Sequence, residues 1–255
     1  MSTEPSKGGK WRDLRPRVLS AIVMLAVGLF ALWQGGLVFL VLVAAALGGM
    51  IWELTRMMPL KKSSWPIQMG ILVFIAFMVV PYVQPISVFP LLIAPALVGA
   101  SGLSSDRFRY VLYAAGLLLA CFGLVVLREF RGLESVFWLI AVVVATDVAG
   151  YFAGKTFGGP KFWPSLSPKK TWSGTAAGWI AAFFVGLAFG GPVLCVVSIA
   201  ISFASQLGDI SESAIKRRAG VKDSSHLIPG HGGLLDRFDG LMAAAFVMLV
   251  ISTFV

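Results

Sequence analysis

Nine apolar stretches divide this chain, and each is close to the roughly 20 residues that an α-helix needs to cross the hydrocarbon core of a bilayer. The second half of the eighth stretch is polar, and the ninth is short for a span unless it begins near Leu234. We therefore predict an all-α, polytopic integral membrane protein with about nine transmembrane helices. The stretches cover residues 18–33, 37–54, 66–83, 86–102, 108–127, 135–154, 174–189, 192–218 and 238–255.

The composition excludes a soluble enzyme. Hydrophobic residues make up 58% of the 255 positions and charged residues only 13%, whereas soluble domains have about 45 to 50% apolar and about 25% charged residues. So few charges cannot cover a water-exposed surface. A disulfide scaffold is also excluded, because Cys121 and Cys195 both lie inside apolar stretches. The first stretch is longer than the apolar core of a signal peptide, so we expect it to remain as a span.

The basic residues indicate an orientation. Lys and Arg accumulate in the cytoplasmic loops of membrane proteins. With the amino terminus in the cytoplasm, nineteen of the 21 basic residues fall on the inner side, and only Arg128 and Arg131 fall outside. The formal net charge of +9 is therefore explained by topology, and we predict no binding of nucleic acid.

The chain divides into three parts by its polar content. We expect residues 1–17 to be a cytoplasmic segment and residues 18–130 to form scaffold helices with few polar groups. Beyond residue 140, acidic residues and both histidines lie within or beside apolar stretches. We therefore predict a catalytic region over residues 131–255, with cytoplasmic loops at 155–173 and 217–237.

Asp147 is the first ionisable residue in this region that lies inside an apolar stretch. Inserting such a group costs about 2.5 to 3.5 kcal/mol, so it usually faces a polar cavity and marks a function. Asp147 shares a helical face with Tyr151, four residues on. The alternative is that Asp147 only forms a hydrogen bond between helices.

The eighth stretch carries a stripe of five polar residues, Ser205, Asp209, Glu212, Ser213 and Lys216, on one helical face. Two carboxylates one turn apart repel each other unless a cation lies between them. A divalent ion with oxygen ligands is a natural occupant of such a site. The alternative is a simple ion pair between Glu212 and Lys216 at the end of the helix.

Two loops add groups that suit phosphate. Ser167, Lys169 and Lys170 follow one another closely on a segment stiffened by prolines, although basic residues are expected in any cytoplasmic loop. The second loop, residues 220–233, is called the glycine loop here. Its glycines let backbone amides approach a ligand, and cationic side chains near it can offset phosphate charge. The groups concerned are Gly230, Gly232, Gly233, Lys216, Arg217, Lys222 and Arg237, followed by the carboxylates Asp236 and Asp239.

Together these segments indicate nucleotidyl or phosphoryl transfer, because they combine hard metal ligands, cationic side chains and an amide-rich loop. A Ser, His, Asp hydrolase is disfavoured, since neither Ser205 nor Ser213 has an evident partner base.

The residues between 213 and 239 closely resemble the signature of phosphatidate cytidylyltransferases, also called CDP-diacylglycerol synthases. The upstream stretch from Asp147 to Thr171 is similar to the same family. The family commonly has a glutamate where this chain has Ser173 and a glycine where it has Ser225. The matching signature residues are Ser213, Lys216, Arg217, Lys222, Asp223, Pro229, Gly230, His231, Gly232, Gly233, Asp236, Arg237 and Asp239.

The resemblance implies that CTP and phosphatidic acid give CDP-diacylglycerol and pyrophosphate, with the lipid phosphate attacking the α-phosphorus of CTP. It implies Mg²⁺ as cofactor, a second, monovalent cation and a homodimer in the membrane. The active site would face the cytoplasm, in the inner membrane if the source is bacterial. The alternatives are a CTP-dependent lipid or polyisoprenol kinase and an ion-coupled transporter.

Roles follow residue by residue from the resemblance. The implied metal ligands are Asp209, Glu212, Asp236 and Asp239, and the implied catalytic residues are Asp209, Lys216, Asp236, Arg237 and Asp239. The implied substrate-binding residues are Ser167, Lys169, Lys170, Ser213, Arg217, Lys222, Asp223, Gly230, His231, Gly232 and Gly233. Secondary positions are Asp147, Tyr151 and Ser205.

Overall fold

The computed structural model describes residues 9–253, with side chains from residue 17 onward. Residues 1–8 of the expected cytoplasmic segment 1–17 and the last two residues of the ninth apolar stretch lie outside the described range. The helix α1 already begins at Gly9. The described helices are α1 (Gly9–Gln34), α2 (Gly36–Arg56), α3 (Trp65–Val79), α4 (Pro85–Ser101), α5 (Arg107–Thr156), α6 (Trp172–Gly190), α7 (Pro192–Arg218) and α8 (Leu235–Ser252), with a 3₁₀ turn at Val80–Tyr82.

Proline and glycine mark several of the helix ends. Pro66, Pro85 and Pro192 lie in the first turns of α3, α4 and α7, where a missing N–H costs nothing. Gly35 and Gly191 have positive φ angles of 65° and 82° and separate α1 from α2 and α6 from α7. These glycines let two long helices follow each other with almost no loop.

The fifth and sixth apolar stretches form one 50-residue element, α5, which is broken at Gly132. Gly132 has φ 83° and ψ −177°, a backbone conformation open only to glycine. The arm before the break contacts α8 through Cys121 and Met242. The arm after the break runs alongside α7 in the same direction. Trp138 donates to Ser198 near the start of α7, and Thr146 donates to Ser202 farther along it.

Six of the described helices are long and apolar enough to cross a membrane, with α5 counted once. Three elements account for the difference from the nine predicted spans. α5 joins two helices at Gly132, which match the predicted stretches 108–127 and 135–154; α4 is a shorter apolar helix of 17 residues; and α8 carries charges at Asp236, Arg237 and Asp239.

The predicted loop 155–173 is more ordered than expected. It contains an antiparallel pair of strands, β1 (Lys161–Trp163) and β2 (Ser167–Thr171). The all-α fold class is confirmed, because this two-stranded sheet lies within the connection between α5 and α6. Thr171 ends β2 and caps α6, since its hydroxyl accepts a hydrogen bond from the amide of Gly174 at 3.2 Å. The sheet thus has a defined position next to α6 and α7.

The centre of the fold is apolar and formed by α2, α5, α7 and α8. Leu47, Leu118, Leu139, Ile201 and Leu235 are fully buried there. Many large apolar side chains on the outer surface are exposed, as expected for helices that face lipid. The polar groups of the predicted catalytic region collect at one end of this bundle.

Candidate active site

A glycine contact brings α7 and α8 together at the polar end of the bundle. A Cβ added at Gly208 would lie 2.5 Å from the carbonyl oxygen of Asp239, so only glycine permits this approach. Asp209 comes directly after Gly208 on α7, and Glu212 lies about one turn farther on. Both are therefore held beside the first turns of α8. The spacing on α7 and the glycine together determine which carboxylates meet.

Three carboxylates converge at this point. One oxygen from each of Asp209, Glu212 and Asp239 lies within 4.8 Å of the others. We call these three residues the carboxylate cluster. Glu212 is fully buried, whereas Asp209 is half-exposed, with 42% of its side chain accessible. The cluster is thus closed on the protein side and open on the other. Three of the four predicted metal ligands are brought together.

Two lysines flank the carboxylate cluster. Lys170 Nζ, from β2, lies 2.6 Å from Asp209 Oδ2. Lys216 Nζ, one turn after Glu212 on α7, lies 2.5 Å from Glu212 Oε2 and 2.5 Å from Asp236 Oδ1. The ion pair weighed as an alternative for Glu212 and Lys216 is therefore present, but it is part of a larger network. Both lysines are thus paired with carboxylates, and they would contact a phosphate only where a bound cation took over these carboxylates.

Asp236 lies next to the carboxylate cluster but accepts its own set of hydrogen bonds. Besides Lys216, its donors are the amide and hydroxyl of Ser224, both at 2.8 Å, and the amide of Gly233 at 2.9 Å. These four donors compensate a carboxylate that burial would otherwise leave unsatisfied. The predicted role of Asp236 as a metal ligand stays a prediction.

The carboxylate cluster fits a hard divalent cation. Its donors are all carboxylate oxygens, which Mg²⁺ and Ca²⁺ prefer. Within the described residues, neither oxygen of Glu212 accepts a hydrogen bond of good geometry, although Lys216 lies close to one of them. A buried carboxylate without such donors is costly unless a cation compensates it. The residues present could therefore hold a metal ion.

The glycine loop folds back on itself and onto Asp236. Gly230 and Gly232 adopt positive φ angles of 75° and 85°, and the amide of Ile228 donates to the carbonyl of Gly232 at 2.8 Å. The amide of His231 donates back to Ile228 at 2.9 Å. Because these amides and that of Gly233 already have acceptors, they cannot all bind phosphate as predicted for this loop.

His231 and Arg237 both serve the loop's conformation. The imidazole Nδ1 of His231 lies 2.9 Å from the hydroxyl of Ser20 on α1. The guanidinium of Arg237 donates twice to the carbonyl oxygen of His231, at 2.8 and 2.5 Å. Arg237 is exposed, so its predicted contact with phosphate would compete with these hydrogen bonds.

Glu53 is a functional neighbour that the sequence analysis missed. This fully buried carboxylate of α2 accepts from the hydroxyls of Ser225 and Ser224 at 2.5 and 3.2 Å, and from the amides of Leu234 and Leu235 at 2.9 and 2.7 Å. It joins the glycine loop and the start of α8 to the expected scaffold. Glu53 lies inside the apolar stretch 37–54, where inserting an ionisable group is costly, as for Asp147. Its position in that stretch was the feature of the sequence that could have identified it.

The other predicted binding residues lie around this centre. Lys169 alternates with Lys170 on β2 and is exposed, so the two adjacent lysines do not share a face. Ser167 is partly buried at the start of the same strand. Arg217 is exposed just before the glycine loop, and Lys222 and Asp223 are exposed within it.

Ser213, a predicted binding residue, and the three secondary positions differ in their relation to the carboxylate cluster. Ser213 donates to Asp209 at 3.4 Å and so belongs to the site. Asp147, on the second arm of α5, is exposed, and its place in the site stays a prediction. Ser205 is buried and donates to the carbonyl of Ser202 in its own helix. Tyr151 is exposed and its ring lies 5.7 Å from Lys155 Nζ. Ser205 and Tyr151 are thus not brought to the carboxylate cluster.

The sequence is similar to known proteins over most of its length. The sequence model of the cytidylyltransferase family matches residues 15–255. The chain is 35% identical over 260 residues to a phosphatidate cytidylyltransferase of Brucella suis, covering 92% of each protein. It is 32% identical to one of Bacillus subtilis, covering 92% of this chain and 95% of the relative, and 34% identical to one of Staphylococcus aureus, covering 90% and 95%. The resemblance seen in the signature residues is confirmed, and the chain belongs to the cytidylyltransferase family.

Proposed function

We propose that this protein transfers the cytidylyl group of CTP to phosphatidic acid and releases CDP-diacylglycerol and pyrophosphate. The observation that carries the proposal is the carboxylate cluster with Lys170 and Lys216 beside it, at the polar end of apolar helices. This position suits a reaction between a water-soluble nucleotide and a lipid headgroup. The family and the names of its bacterial relatives support the same activity.

In the proposed reaction an oxygen of the lipid phosphate attacks the α-phosphorus of CTP. The bond between that phosphorus and the oxygen bridging to the β-phosphorus breaks, and pyrophosphate leaves with the bond's electrons. The substrate itself provides the nucleophile, so the protein's work is positioning and charge neutralisation. Lys170 and Lys216 are the buried or half-buried cations nearest the carboxylate cluster, and we assign them to the triphosphate. Lys169, Arg217 and Lys222 are exposed and would act at its outer end.

We further propose that the carboxylate cluster holds Mg²⁺. A bound Mg²⁺ would neutralise phosphate oxygens and the charge that develops on the leaving group. Asp209, Glu212 and Asp239 would hold the ion, and Asp236 would join them only if Lys216 released it. Asp236 otherwise keeps Lys216 and the glycine loop in place. We also propose a second, monovalent cation, as the family resemblance implies.

The proposed topology has nine crossings, with the amino terminus and the active site in the cytoplasm. It counts the two arms of α5 separately and includes the shorter α4 and the charged α8. The basic residues near the carboxylate cluster support the orientation, because Lys and Arg favour the cytoplasmic side. Residues 18–130 would be scaffold and 131–255 catalytic, with Glu53 joining the two. The family resemblance also leads us to propose a homodimer in the cytoplasmic membrane.

The test uses purified protein in detergent with phosphatidic acid, Mg²⁺ and CTP labelled at either the α- or the γ-phosphorus. We expect the α-label to enter the lipid fraction as CDP-diacylglycerol and the γ-label to appear in pyrophosphate. The γ-label in the lipid would indicate a kinase. No label in the lipid under varied lipid and cation conditions would contradict both enzymes.

A further inference from the structure

The first helix, α1, lies against the glycine loop near its beginning. The hydroxyl oxygen of Ser20 lies 3.1 Å from the carbonyl oxygen of Pro229 and 2.9 Å from Nδ1 of His231. The loop approaches α1 so closely that a Cβ added at Gly230 would meet the side chain of Arg17. None of the roles assigned above belongs to a residue of α1.

Few other contacts hold α1 in place. Most of its side chains from residue 21 to residue 30 are exposed, and none of these ten is buried. At the far end of the helix, Arg128 of α5 donates to the carbonyl oxygens of Leu32 and Trp33, at 2.7 and 3.1 Å. Because α1 is held mainly at its two ends, Ser20 makes one of the contacts that fix this helix to the loop.

The surroundings of Ser20 indicate which nitrogen of His231 carries a proton. A serine hydroxyl has one proton to donate, and that of Ser20 lies 3.0 Å from the carbonyl oxygen of Arg17 as well as 3.1 Å from that of Pro229. If the hydroxyl donated to Nδ1, both carbonyl oxygens would face its lone pairs. The contacts are better satisfied when the hydroxyl donates to a carbonyl oxygen and accepts from an Nδ1–H of His231.

The other ring nitrogen, Nε2, is left open. Among residues 17–253, none forms a hydrogen bond with Nε2 of His231, and this residue is half-buried. With Nδ1 occupied, Nε2 is the nitrogen that accepts a hydrogen bond in the neutral ring and donates one when the ring is protonated. An imidazolium N–H is a strong donor to phosphate oxygens.

The glycine loop connects this imidazole to the candidate site. The carbonyl oxygen of His231 accepts from Arg237, and the amide of Gly233, two residues on, donates to Asp236 at 2.9 Å. Asp236 pairs in turn with Lys216, which flanks the carboxylate cluster. The contact with α1 therefore bears on the part of the loop that lies next to the site.

We propose that Ser20 is a positioning residue of the active site, which holds the imidazole of His231 with a proton on Nδ1 and so presents Nε2 to a substrate phosphate. This role rests on the proposed function, which supplies two such groups, the phosphate of phosphatidic acid and the triphosphate of CTP. Ser20 acts only through His231.

The tautomer can be measured directly, because the chain has only two histidines, His226 and His231. The full chain is labelled with ¹⁵N-histidine, and His226→Gln leaves the spectrum of a single ring. Solid-state NMR in lipid bilayers, over a pH series, separates the imidazolium from the neutral ring. We expect the neutral ring to carry its proton on Nδ1 with Ser20 in place and in Ser20→Thr, which keeps the hydroxyl. In Ser20→Ala the proton should exchange between both nitrogens.

Kinetics identify the phosphate that Nε2 binds. Loss of one hydrogen bond changes an affinity about two- to tenfold, so Ser20→Ala should raise KM by that factor for either phosphatidic acid or CTP, and Ser20→Thr should restore it. The substrate whose KM rises is the one that the imidazole contacts. Ser101→Ala is the matched control, because Ser101 also donates to a carbonyl three residues earlier in its own helix, and both KM values should stay unchanged.

A neutral ring with its proton on Nε2 when Ser20 is present, or an unchanged tautomer in Ser20→Ala, would overturn this role. So would KM values that stay unchanged, or that rise equally for both substrates, as a general loosening of the loop would cause. The tautomer with Ser20 in place decides the case even if Ser20→Ala fails to fold. A wild type that forms no CDP-lipid would refute the proposed function, whereas an active wild type with the wrong tautomer would refute only the role of Ser20.

Discussion

Lys216 lies between two carboxylates, Glu212 and Asp236, with only 12% of its side chain exposed. Removing its charge leaves two carboxylates close together in a buried place, and breaking a buried pair costs about 3 to 5 kcal/mol. We expect Lys216→Met to lower the thermal unfolding temperature in detergent clearly and to abolish CDP-diacylglycerol formation. Both are measured on the same preparation.

The control for Lys216 is the double variant Lys216→Met with Asp236→Asn. It removes one of the two stranded charges, so it should recover part of the lost stability while the activity stays absent. An unfolding temperature for Lys216→Met equal to that of the wild type would contradict the network described here.

Glu53 gives a second prediction for a single residue. Glu53→Gln keeps the shape but replaces one acceptor oxygen with a donor that faces a backbone amide and a serine hydroxyl. A buried polar group left unsatisfied costs about 1 to 3 kcal/mol. We expect faster hydrogen exchange of the amides of Leu234 and Leu235, and a lower kcat with a smaller change in KM for CTP.

The matched control for Glu53 is Glu129→Gln, because Glu129 also accepts from a helix amide, that of Gly36, but at the other end of the bundle. It should leave exchange of Leu234 and Leu235 unchanged. Slow exchange of these amides in Glu53→Gln would show that the carboxylate does not position the loop.

The pairing of Asp209 and Glu212 could be predicted from the sequence because they are one turn apart on a helix, whereas the meeting of this pair with Asp239 rather than Asp236 depends on the contact of Gly208 with α8. The role of Glu53 could not, because its contacts with Ser224 and Ser225 join residues about 170 positions apart. No local spacing encodes such a contact, which depends on how α2 packs against α8. The phosphate-binding role of the loop amides stays a prediction, and the amide of Gly233 competes for it by donating to Asp236.

Among the helices, the break in α5 requires one particular residue type, a glycine at position 132. Alanine at position 132 would have to adopt a conformation reserved for glycine, at a cost of about 1 to 3 kcal/mol, and no neighbouring atom would obstruct its Cβ. We expect Gly132→Ala to lower the unfolding temperature. Gly28→Ala, also in open space but at an ordinary helical position, should leave it unchanged or raise it. Equal unfolding temperatures for the two variants would contradict a required break.

Most element positions follow from hydrophobicity alone. The apolar stretches 174–189 and 192–218 agree closely with α6 and α7, and α8 begins at Leu235, close to the earlier start that its short apolar stretch required. The β1 and β2 pair was not predicted, because its short strands are rich in lysine, serine and proline and carry no apolar alternation. The break at Gly132 agrees with the separation of the apolar stretches 108–127 and 135–154, although the sequence alone did not show how sharp it is.

The polar groups of the candidate site lie at one end of the molecule and Glu134 lies at the other, and this predicts a pattern of chemical labelling. Cys121 and Cys195 are both buried, so an added cysteine gives the main signal with a membrane-impermeant maleimide. We expect Glu134→Cys to react in intact cells and Leu227→Cys, in the glycine loop, only after the membrane is opened. The reverse pattern would invert the topology, and reaction of both in intact cells would change the number of crossings.

The account as a whole depends on a cation at the carboxylate cluster, and the rate of CDP-diacylglycerol formation against Mg²⁺ concentration tests it most directly. We compare the wild type with Asp239→Asn and with Glu134→Gln, an exposed carboxylate at the opposite end. We predict that chelation abolishes the wild-type rate, that Asp239→Asn lowers kcat about a hundredfold or more or requires far more Mg²⁺, and that Glu134→Gln matches the wild type. A wild-type rate that survives chelation, or an Asp239→Asn curve that superimposes on it, would contradict the account.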